Sequence, residues 1–409
     1  MKILLVNKFH YIKGGSETYY FGLADLLRSK GHEVIFFSMK DPRNYPCKQE
    51  KYFVDNVDFN APMSKRKMLQ VAWKMLYSRE AKKKFKQLLL DEKPDIIHLN
   101  IFQSQLTGSI VDVAKKFRIP VVYTAHDLKS VCPAYTMFNK GEACERCIGG
   151  RYLNCVKQSC MKESRAKSLL AMMEAYSYKW RGTYRKIDYV ITPSLFYKHK
   201  LEESNVFDCK STYLPNFLSD EAFVSRAVVG EYVLYFGRLS KEKGVLTAVQ
   251  AYAKLHTQRM FYIVGTGPIE DEVKSLVSKL KLEGNVKRLG FKQGEELKQI
   301  VSSARCVILP SEWYENGPYS VMEALASGKP AIVSSNGGLT ELVNEGETGF
   351  IAEPKNADHL ALKMKIVDEL TEEKLLRMSQ KCIDMAKEKF GKENYYHELM
   401  RIYRSLLQE

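Results

Sequence analysis

Short apolar runs alternate with longer segments of helical periodicity along the whole chain, and this alternation limits the available folds more than any other feature. Strands that alternate with helices predict parallel sheets with helices on both faces. One open sheet rarely holds a dozen strands, so the pattern predicts two doubly wound α/β domains. The predicted strands are 2–6, 33–37, 95–99, 120–123, 189–192, 211–214, 232–236, 259–264, 286–289, 306–309, 330–333 and 348–351.

The predicted boundary between the domains lies within residues 215–230, where a Pro-Asn pair and a non-periodic stretch follow a strand. We therefore expect an N-terminal domain over 1–218 and a C-terminal domain over 219–390. In parallel sheets ligands bind beyond the carboxyl ends of the strands. Two such domains facing each other would hold a ligand in the cleft between them.

The composition is that of a globular protein, since 45% of the 409 residues are hydrophobic and 27% are charged. These values exclude a disordered chain, a coiled coil and a collagen-like repeat. No apolar run approaches the roughly 20 residues that a membrane-spanning helix needs. Residues 1–7 carry no cleavage site of a secretory signal. We therefore expect a cytoplasmic protein without a membrane anchor of its own.

The excess positive charge is confined to the first half of the chain. Residues 1–220 contain 37 Lys and Arg against 22 Asp and Glu, whereas residues 221–409 contain 26 of each kind. The formal net charge of +15 therefore belongs to the first half. A strong charge of one sign predicts a partner of the other sign, so this half is expected to meet an anionic surface or a polyanion.

Two basic segments, 62–90 and 161–186, concentrate this charge and also contain aromatic residues. Basic amphipathic helices of this kind are typical of anionic membrane surfaces. The alternative is a helix that buries its apolar stripe and leaves its basic side in solvent. Nucleic acid is the other common polyanion, but no motif of that class is present. The apolar residues are Met68, Leu69, Ala72, Trp73, Met75, Leu76 and Tyr77 in the first segment, and Leu169, Leu170, Met172, Met173, Tyr176 and Trp180 in the second.

Glycine-containing loops follow several predicted strands. Gly14 and Gly15 precede a helix, where backbone N–H groups and the helix dipole favour a phosphate. Gly265 and Gly267 follow strand 259–264 and offer a second place for a nucleotide to approach the backbone. Each loop alone is also compatible with an ordinary strand-to-helix turn.

Charged side chains follow two strands of the second half. Arg238 and Lys243 lie in a glycine-bounded loop and form a candidate clamp for a diphosphate, although a solvated charged loop has the same appearance. In segment 309–324, Glu315 lies in a loop and Glu323 about two turns into the next helix. A glutamate among apolar neighbours is costly unless it binds something, although many helices carry solvated glutamates.

Taken together, these motifs resemble the retaining glycosyltransferases of family 4. The resemblance lies in Gly-Arg-Leu-Ser-Lys-Glu-Lys-Gly at 237–244, Val-Gly-Thr-Gly-Pro at 264–268, and the paired glutamates followed by Ala-Ser-Gly-Lys-Pro at 326–330. The glycine-rich stretches 337–342 and 346–350, the Gly14-Gly15 pair and His126-Asp127 also match. The usual Pro-Asn-Gly-Val-Asp near the domain junction is replaced by the different sequence 215–220, and Asn316-Gly317 replaces the usual aromatic-glycine pair.

The resemblance implies the GT-B fold, in which two Rossmann-like domains face a cleft. The C-terminal domain would bind a nucleotide-sugar donor, and the N-terminal domain would face the acceptor and the membrane. The final helical segment, 391–409, would cross back onto the N-terminal domain.

The resemblance also implies roles for individual residues. Arg238 and Lys243 would hold the donor diphosphate, Glu323 the ribose hydroxyls, Glu315 the donor sugar, and His126 the sugar near its C6. Because the sequence contains no Asp-x-Asp motif, no catalytic divalent metal is expected, and cationic side chains would stabilise the leaving diphosphate. The remaining donor-binding candidates are Gly14, Gly15, Gly265, Gly267, Gly317, Pro318 and Tyr319.

Five cysteines crowd into a stretch interpreted as a long loop, 128–160, that is poor in core residues. Cys144 and Cys147 have the spacing of metal ligands, and Cys155 and Cys160 could complete a structural zinc site, with Cys132 as a substitute. A zinc ion could supply stability that such a loop lacks. Reduced thiols and a redox or iron–sulfur role are the alternatives.

The predicted function is the retaining transfer of a sugar from a UDP- or GDP-sugar to an acceptor hydroxyl. The acceptor is expected to be a lipid-linked saccharide in surface-polysaccharide synthesis, at the inner face of the plasma membrane. The alternatives are a soluble-acceptor transferase of the sucrose or glycogen type and a basic, zinc-stabilised interaction module without catalysis. A dehydrogenase is disfavoured because no complete dinucleotide fingerprint is present.

Overall fold

The structure is a computed structural model that describes residues 1–56 and 65–408, with the backbone alone for residues 65–69. Its contacts divide the chain into two compact units. The first comprises Met1–Asn139, Cys144–Leu214 and the chain from Tyr395 onward. The second comprises Lys140–Ala143 and Pro215–Asn394. Each unit is built around one six-stranded sheet.

The sheet of the first unit is parallel and has the strand order β2-β1-β3-β4-β7-β8. Its strands are nearly continuous apolar runs because helices cover both faces, as β1 illustrates with four fully buried residues after Lys2. The elements up to residue 214 are β1 Lys2–Val6, α1 Gly15–Ser29, β2 Glu33–Phe37, α2 Lys65–Leu76, α3 Arg79–Glu92, β3 Ile96–Leu99, α4 Ser109–Lys116, β4 Val121–Thr124, β5 Phe138–Asn139, β6 Glu142–Ala143, α5 Leu153–Lys157, α6 Arg165–Trp180, β7 Tyr189–Thr192, α7 Leu195–Ser204 and β8 Lys210–Tyr213.

The sheet of the second unit is also parallel, with the order β11-β10-β9-β12-β13-β14. Counted within the unit this is 3-2-1-4-5-6, the order of the Rossmann fold. Helix α14 ends the described chain, and its residues from Tyr395 belong to the first unit. The elements are β9 Tyr232–Phe236, α8 Val245–Leu255, β10 Phe261–Val264, α9 Glu270–Lys279, β11 Val286–Gly290, α10 Gly294–Ser302, β12 Ala304–Leu309, α11 Tyr319–Ala326, β13 Ala331–Ser334, β14 Gly349–Ala352, α12 Ala357–Asp368, α13 Glu372–Phe390 and α14 Lys392–Leu407.

These two sheets confirm the predicted pair of doubly wound α/β domains. Every predicted strand corresponds to a strand of the large sheets, with ends that differ by at most two residues. The small hairpin of β5 and β6 was not predicted, because two-residue strands leave no periodic signal. Glu409, the last residue of the predicted terminal segment, lies outside the described residues.

The prediction that residues 128–160 form a loop poor in core residues was wrong. The stretch contains the β5–β6 hairpin and helix α5, and it buries Leu128, Met137 and Tyr152. Its apolar residues are sparse along the sequence, yet Tyr152 and Cys155 pack against Met172 and Tyr176 of helix α6. Contacts between segments far apart in sequence, rather than local periodicity, therefore organise this stretch.

The two basic segments also differ from the prediction in detail. Segment 62–90 forms two helices, α2 and α3, which are separated by Ser78, the N-cap of α3. Helix α3 buries an apolar stripe that includes Phe85 and Leu88, which is the core-facing alternative. Residues 62–64 and the side chains of Met68 and Leu69 lie outside the described residues. In the part of the chain that the structure describes, no helix is both long and apolar enough to cross a membrane.

Candidate functional site

The candidate residues of the second unit lie at the switch point of its sheet. The strand order reverses between β9 and β12, and in folds of this kind ligands bind at this point, beyond the carboxyl ends of the strands. Arg238 and Lys243 follow β9, and Glu315 follows β12. The two loops touch, because the N–H of Glu312 donates to the carbonyl of Glu242 at 2.8 Å. Sequence motifs separated by about seventy residues thus meet at one edge of the sheet.

Lys243 and Glu315 form an ion pair at this switch point. The Lys243 Nζ lies 2.6 Å from Glu315 Oε1 and 5.2 Å from the centre of the Trp313 ring. The same carboxylate oxygen accepts hydrogen bonds from Ser311 Oγ at 2.6 Å and from Trp313 Nε1 at 2.7 Å. All three donors use Oε1, so the second oxygen, Oε2, is left for other partners. Glu315 itself is only 5% exposed.

Arg238 is an exposed cation of the same loop. The Tyr235 hydroxyl donates to the Arg238 carbonyl at 2.9 Å and fixes the backbone there. Among the described residues, the guanidinium has neither a hydrogen bond nor an ion pair. An arginine without a protein partner can form bidentate hydrogen bonds with a phosphate at little structural cost.

Glu323 occupies the fifth position of α11, just over one helical turn from the N-terminus, rather than the two turns expected from the sequence. Its side chain is half-buried, and burial alone raises the pKa of its carboxyl to about 7. No hydrogen-bond donor contacts this carboxyl among the described residues. A desolvated acceptor without a partner is costly in an empty protein and fits a site for ligand hydroxyls. Gly317, Pro318 and Tyr319 form the half-buried start of this helix, which no side chain caps.

Gly265 and Gly267 have a structural explanation that the sequence did not suggest. A Cβ on Gly265, whose φ is +129°, would lie 1.9 Å from the Gly237 carbonyl oxygen. A Cβ on Gly267 would lie 2.1 Å from the carbonyl oxygen of Leu239. These glycines let the loop after β10 pack against the loop that carries Arg238.

In the first unit, Gly14 and Gly15 form the start of α1, where no side chain caps the helix. Both glycines are exposed, and a Cβ on Gly14 would meet nothing closer than 3.9 Å. Glu17 is buried behind them and accepts hydrogen bonds from Asn7 Nδ2 at 3.2 Å and Ser16 Oγ at 3.0 Å. Glu17 thus fixes the loop from its buried side, and the exposed backbone of the two glycines is accessible to a ligand.

His126 follows β4 and is half-buried. Its Nε2 lies 2.9 Å from Asn100 Oδ1. Because an amide oxygen only accepts hydrogen bonds, the ring hydrogen is on Nε2. The ring of Tyr19 packs edge-on against the His126 ring with a centroid distance of 4.8 Å. Burial lowers the pKa of His126 to about 3, so the imidazole is neutral at physiological pH. Burial also raises the pKa of the neighbouring Asp127.

The five cysteines of the β4–α6 segment lie near one another and are in the reduced thiol form. Burial raises the pKa of Cys132 to about 11 and that of Cys147 to about 12, and a hydrogen bond with Cys160 raises the pKa of Cys155. Within the described residues, no three His, Cys, Asp or Glu side chains form a group that could hold a metal ion. Zinc at Cys144, Cys147, Cys155 and Cys160 stays a prediction from spacing, which elemental analysis of the purified chain would test.

Three residues that orient the candidate site residues were not predicted from the sequence. Ser311 and Trp313 orient Glu315, and Asn100 orients His126. Their position after β12 or β3 could have indicated a role in the site, because residues beyond the carboxyl ends of parallel strands line the ligand-binding edge. Their hydrogen-bond partners were not predictable from local pattern.

Two family descriptions match consecutive parts of the chain. Residues 13–222 match Glycosyltransferase Family 4, and residues 223–389 match Glycosyl transferases group 1. A protein of the cps region of Klebsiella pneumoniae is 26% identical over 84% of this chain and 87% of its own length. A putative colanic acid biosynthesis glycosyltransferase of Salmonella typhimurium, WcaL, is 29% identical over 42% of this chain and 43% of its own.

Solved structures share the fold at low sequence identity. Sucrose-phosphate synthase from Thermosynechococcus elongatus has a TM-score of 0.72 at 19% identity and covers 100% of this chain and 99% of its own. Anabaena HepE in complex with UDP has a TM-score of 0.70 at 18% identity, with 99% and 100% covered. These neighbours agree with a two-domain GT-B fold. Because the family 4 match alone spans more than half of the 409 residues, the chain belongs to glycosyltransferase family 4.

Proposed function

We propose that this glycosyltransferase moves a sugar from a UDP- or GDP-sugar to an acceptor hydroxyl with retention of anomeric configuration. The observation that carries the proposal is Glu323 on the helix after β12, a desolvated carboxyl that no hydrogen-bond donor of the described residues contacts. Ribose hydroxyls are neutral donors that would satisfy it. The HepE structure was solved with UDP, which is consistent with such a donor.

Arg238 and Lys243 supply the positive charge that the leaving nucleoside diphosphate requires. Cleavage of the bond between the sugar and the diphosphate develops negative charge on the diphosphate oxygens, and fixed cations stabilise this charge without reorganisation. A lysine ammonium has three hydrogens. Lys243 can therefore keep its hydrogen bond to Glu315 while it donates to a phosphate oxygen. The start of α11 and the Gly14–Gly15 loop carry backbone N–H groups without a side-chain cap among the described residues. These groups can donate hydrogen bonds to phosphate oxygens.

Glu315 and His126 are the proposed contacts with the donor sugar. The carboxylate of Glu315 is held at Oε1, so that Oε2 can accept hydrogen bonds from sugar hydroxyls. Neutral His126 can form a hydrogen bond with a hydroxyl near C6 of the sugar without adding charge.

The proposed acceptor is a lipid-linked saccharide of a surface polysaccharide. The names of similar proteins refer to colanic acid and amylovoran biosynthesis and to a cps region. Helix α6 supports a location at an anionic membrane, because it exposes Leu169, Met173 and Trp180 along one line opposite its buried face. Trp180 is 80% exposed and stacks on Tyr176. Such a stripe beside exposed basic residues is typical of interfacial helices.

Thermal unfolding with a panel of UDP-, GDP- and ADP-sugars tests the donor. The true donor should raise the melting temperature by an amount that grows with the logarithm of its concentration relative to Kd, and Arg238→Ala should abolish the shift without lowering the ligand-free melting temperature. NMR of the product formed from that donor and a lipid-linked acceptor extract should show the donor's anomeric configuration. An inverted product, or a shift that survives Arg238→Ala, would contradict the proposal.

A further inference from the structure

A chain of buried hydroxyls and one imidazole runs beneath the loop that carries His126. Its members are Tyr403, His98, Thr124, Tyr19 and Tyr395, all of which are at most 3% exposed. Tyr403 Oη lies 2.5 Å from His98 Nδ1, and His98 Nε2 lies 2.7 Å from Thr124 Oγ1. Tyr19 Oη lies 3.2 Å from Thr124 Oγ1 and is also hydrogen-bonded to Tyr395 Oη.

These five groups satisfy one another without a charge. Burial lowers the pKa of His98 to about 3, so the ring is neutral and carries one N–H hydrogen. Each of the four hydroxyls also carries one hydrogen. The network therefore contains enough hydrogens to supply a donor for each of its four hydrogen bonds. A fully satisfied polar network in a core fixes side-chain positions more narrowly than apolar packing does.

Tyr19 connects the network with the ring of His126. The Tyr19 ring contacts the His126 ring edge-on, and its hydroxyl is held by Thr124 on one side and Tyr395 on the other. Tyr395 also packs against Tyr19 ring to ring, at 5.9 Å. Helix α14, the last element of the described chain, therefore contributes directly to the packing around His126.

We propose that Tyr395 is a positioning residue for the transfer reaction and that it acts through Tyr19 to hold the His126 ring in place. This inference rests on the proposed contact of His126 with the donor sugar. Tyr395 and Tyr19 do not touch the sugar in this scheme. Because small displacements of a group that contacts the reacting substrate lower the rate strongly, the loss of one hydroxyl in this chain should lower turnover.

The sequence supplies a matched control on the same helix. Tyr395 and Tyr403 are both buried, and each places one hydroxyl at an end of the network. Replacement by Phe removes the hydroxyl that bonds to Tyr19 in the first case and the hydroxyl that bonds to His98 in the second. The Tyr395 hydroxyl is hydrogen-bonded directly to Tyr19, whereas the hydrogen bonds from Tyr403 reach Tyr19 through His98 and Thr124. A purely structural role predicts equal effects of the two substitutions.

The test compares Tyr395→Phe, Tyr403→Phe and His126→Ala in the full chain, with hydrolysis of the nucleotide sugar that most stabilises the protein as the activity. Tyr395→Phe should lower kcat about tenfold with little change in the donor KM, and Tyr403→Phe should lower kcat by less than threefold. In 15N-histidine spectra, the His126 ring signals should shift in Tyr395→Phe and stay in place in Tyr403→Phe. Adding Tyr395→Phe to His126→Ala should lower kcat no further.

The outcomes separate this inference from the function on which it rests. If His126→Ala lowers kcat but the two Phe variants behave alike in kcat and in the His126 signals, the positioning role is wrong and the proposed function stands. If His126→Ala leaves kcat unchanged, the proposed sugar contact is wrong, and the inference is overturned with it.

Discussion

Among single residues, the proposed donor site contains charged groups that are only partly paired with other protein groups. One carboxylate oxygen of Glu315 accepts three hydrogen bonds. The Glu323 carboxyl and the Arg238 guanidinium have no partner in the described part of the chain. Unbalanced polar groups destabilise an empty protein and become favourable when a ligand binds. Substitutions at these residues should therefore separate stability from binding.

Glu323→Gln should stabilise the ligand-free protein at pH 8. The carboxyl pKa is about 7 in the folded state, well above its value in an unfolded chain, so the folded state loses stability as the pH rises from about 4 to 7. The neutral amide avoids this loss, and a gain of about 1 to 3 kcal/mol is expected at pH 8, with little gain at pH 4. Urea unfolding at both pH values measures it.

The same substitution should weaken donor binding. Ribose hydroxyls donate to the ionised carboxylate, so the donor KM of the natural protein should rise as the pH falls below about 7. In Glu323→Gln the KM should be higher and independent of pH in this range. A pH-dependent KM in that variant would assign the titration to another group.

Lys243→Met should destabilise the protein more than Arg238→Ala. Removal of the ammonium leaves Glu315 charged and almost fully buried, which costs about 2 to 4 kcal/mol, whereas Arg238 is exposed and unpaired. Adding Glu315→Gln to Lys243→Met should restore most of the stability and none of the activity. Denaturant unfolding and donor turnover of the three variants would check this, and equal stability of both single variants would contradict it.

At the scale of elements, a buried ion pair holds helix α6 to the loop that follows β4. Lys129 Nζ lies 3.0 Å from a carboxylate oxygen of Glu174, whose side chain is 1% exposed. The lysine also donates to the Pro133 carbonyl at 2.6 Å. The helix and the cysteine-containing segment are thus connected by polar as well as apolar contacts.

Glu174→Ala should lower the free energy of unfolding by about 3 kcal/mol, because it leaves the Lys129 ammonium buried without its counter-charge. Lys167→Ala, an exposed change on the same helix, should alter stability by less than about 0.5 kcal/mol. Chemical denaturation of both variants gives the comparison. Similar values would mean that water reaches Lys129 and replaces the pair.

Across the whole molecule, the excess positive charge and the exposed tryptophans Trp73 and Trp180 occur in the same half of the sequence. The net charge of +15 lies in residues 1–220, which also contain the exposed residues Trp73 and Trp180. Lys84, a residue of the other basic segment, is tied to the Phe53 carbonyl and to Glu80. The exposed basic residues of α6 lie beside the exposed Leu169, Met173 and Trp180, and we expect them to contact lipid.

The chain should sediment with anionic vesicles and not with neutral ones, and it should be released as salt rises. Each basic residue near the surface contributes about 1 kcal/mol, so Lys167→Glu with Lys179→Glu should weaken binding at least tenfold. Trp180→Ala should also weaken it, whereas Phe291→Ala, an equally simple change of an exposed aromatic residue in the neutral half, should not. Equal binding of all variants would exclude α6 as the contact surface.

The two sheets were predictable from the sequence, because buried parallel strands and amphipathic helices produce characteristic local periodicities. The sequence also indicated Arg238, Lys243, Glu315 and Glu323, since the ligand-binding edge follows strand ends. Three features were not predictable from the sequence and are seen in the three-dimensional contacts. Lys243 pairs with Glu315, the carboxyl of Glu323 is desolvated, and Tyr395 is hydrogen-bonded to Tyr19. The reason is physical: ion pairing and burial depend on contacts between residues distant in sequence, which local spacing does not encode.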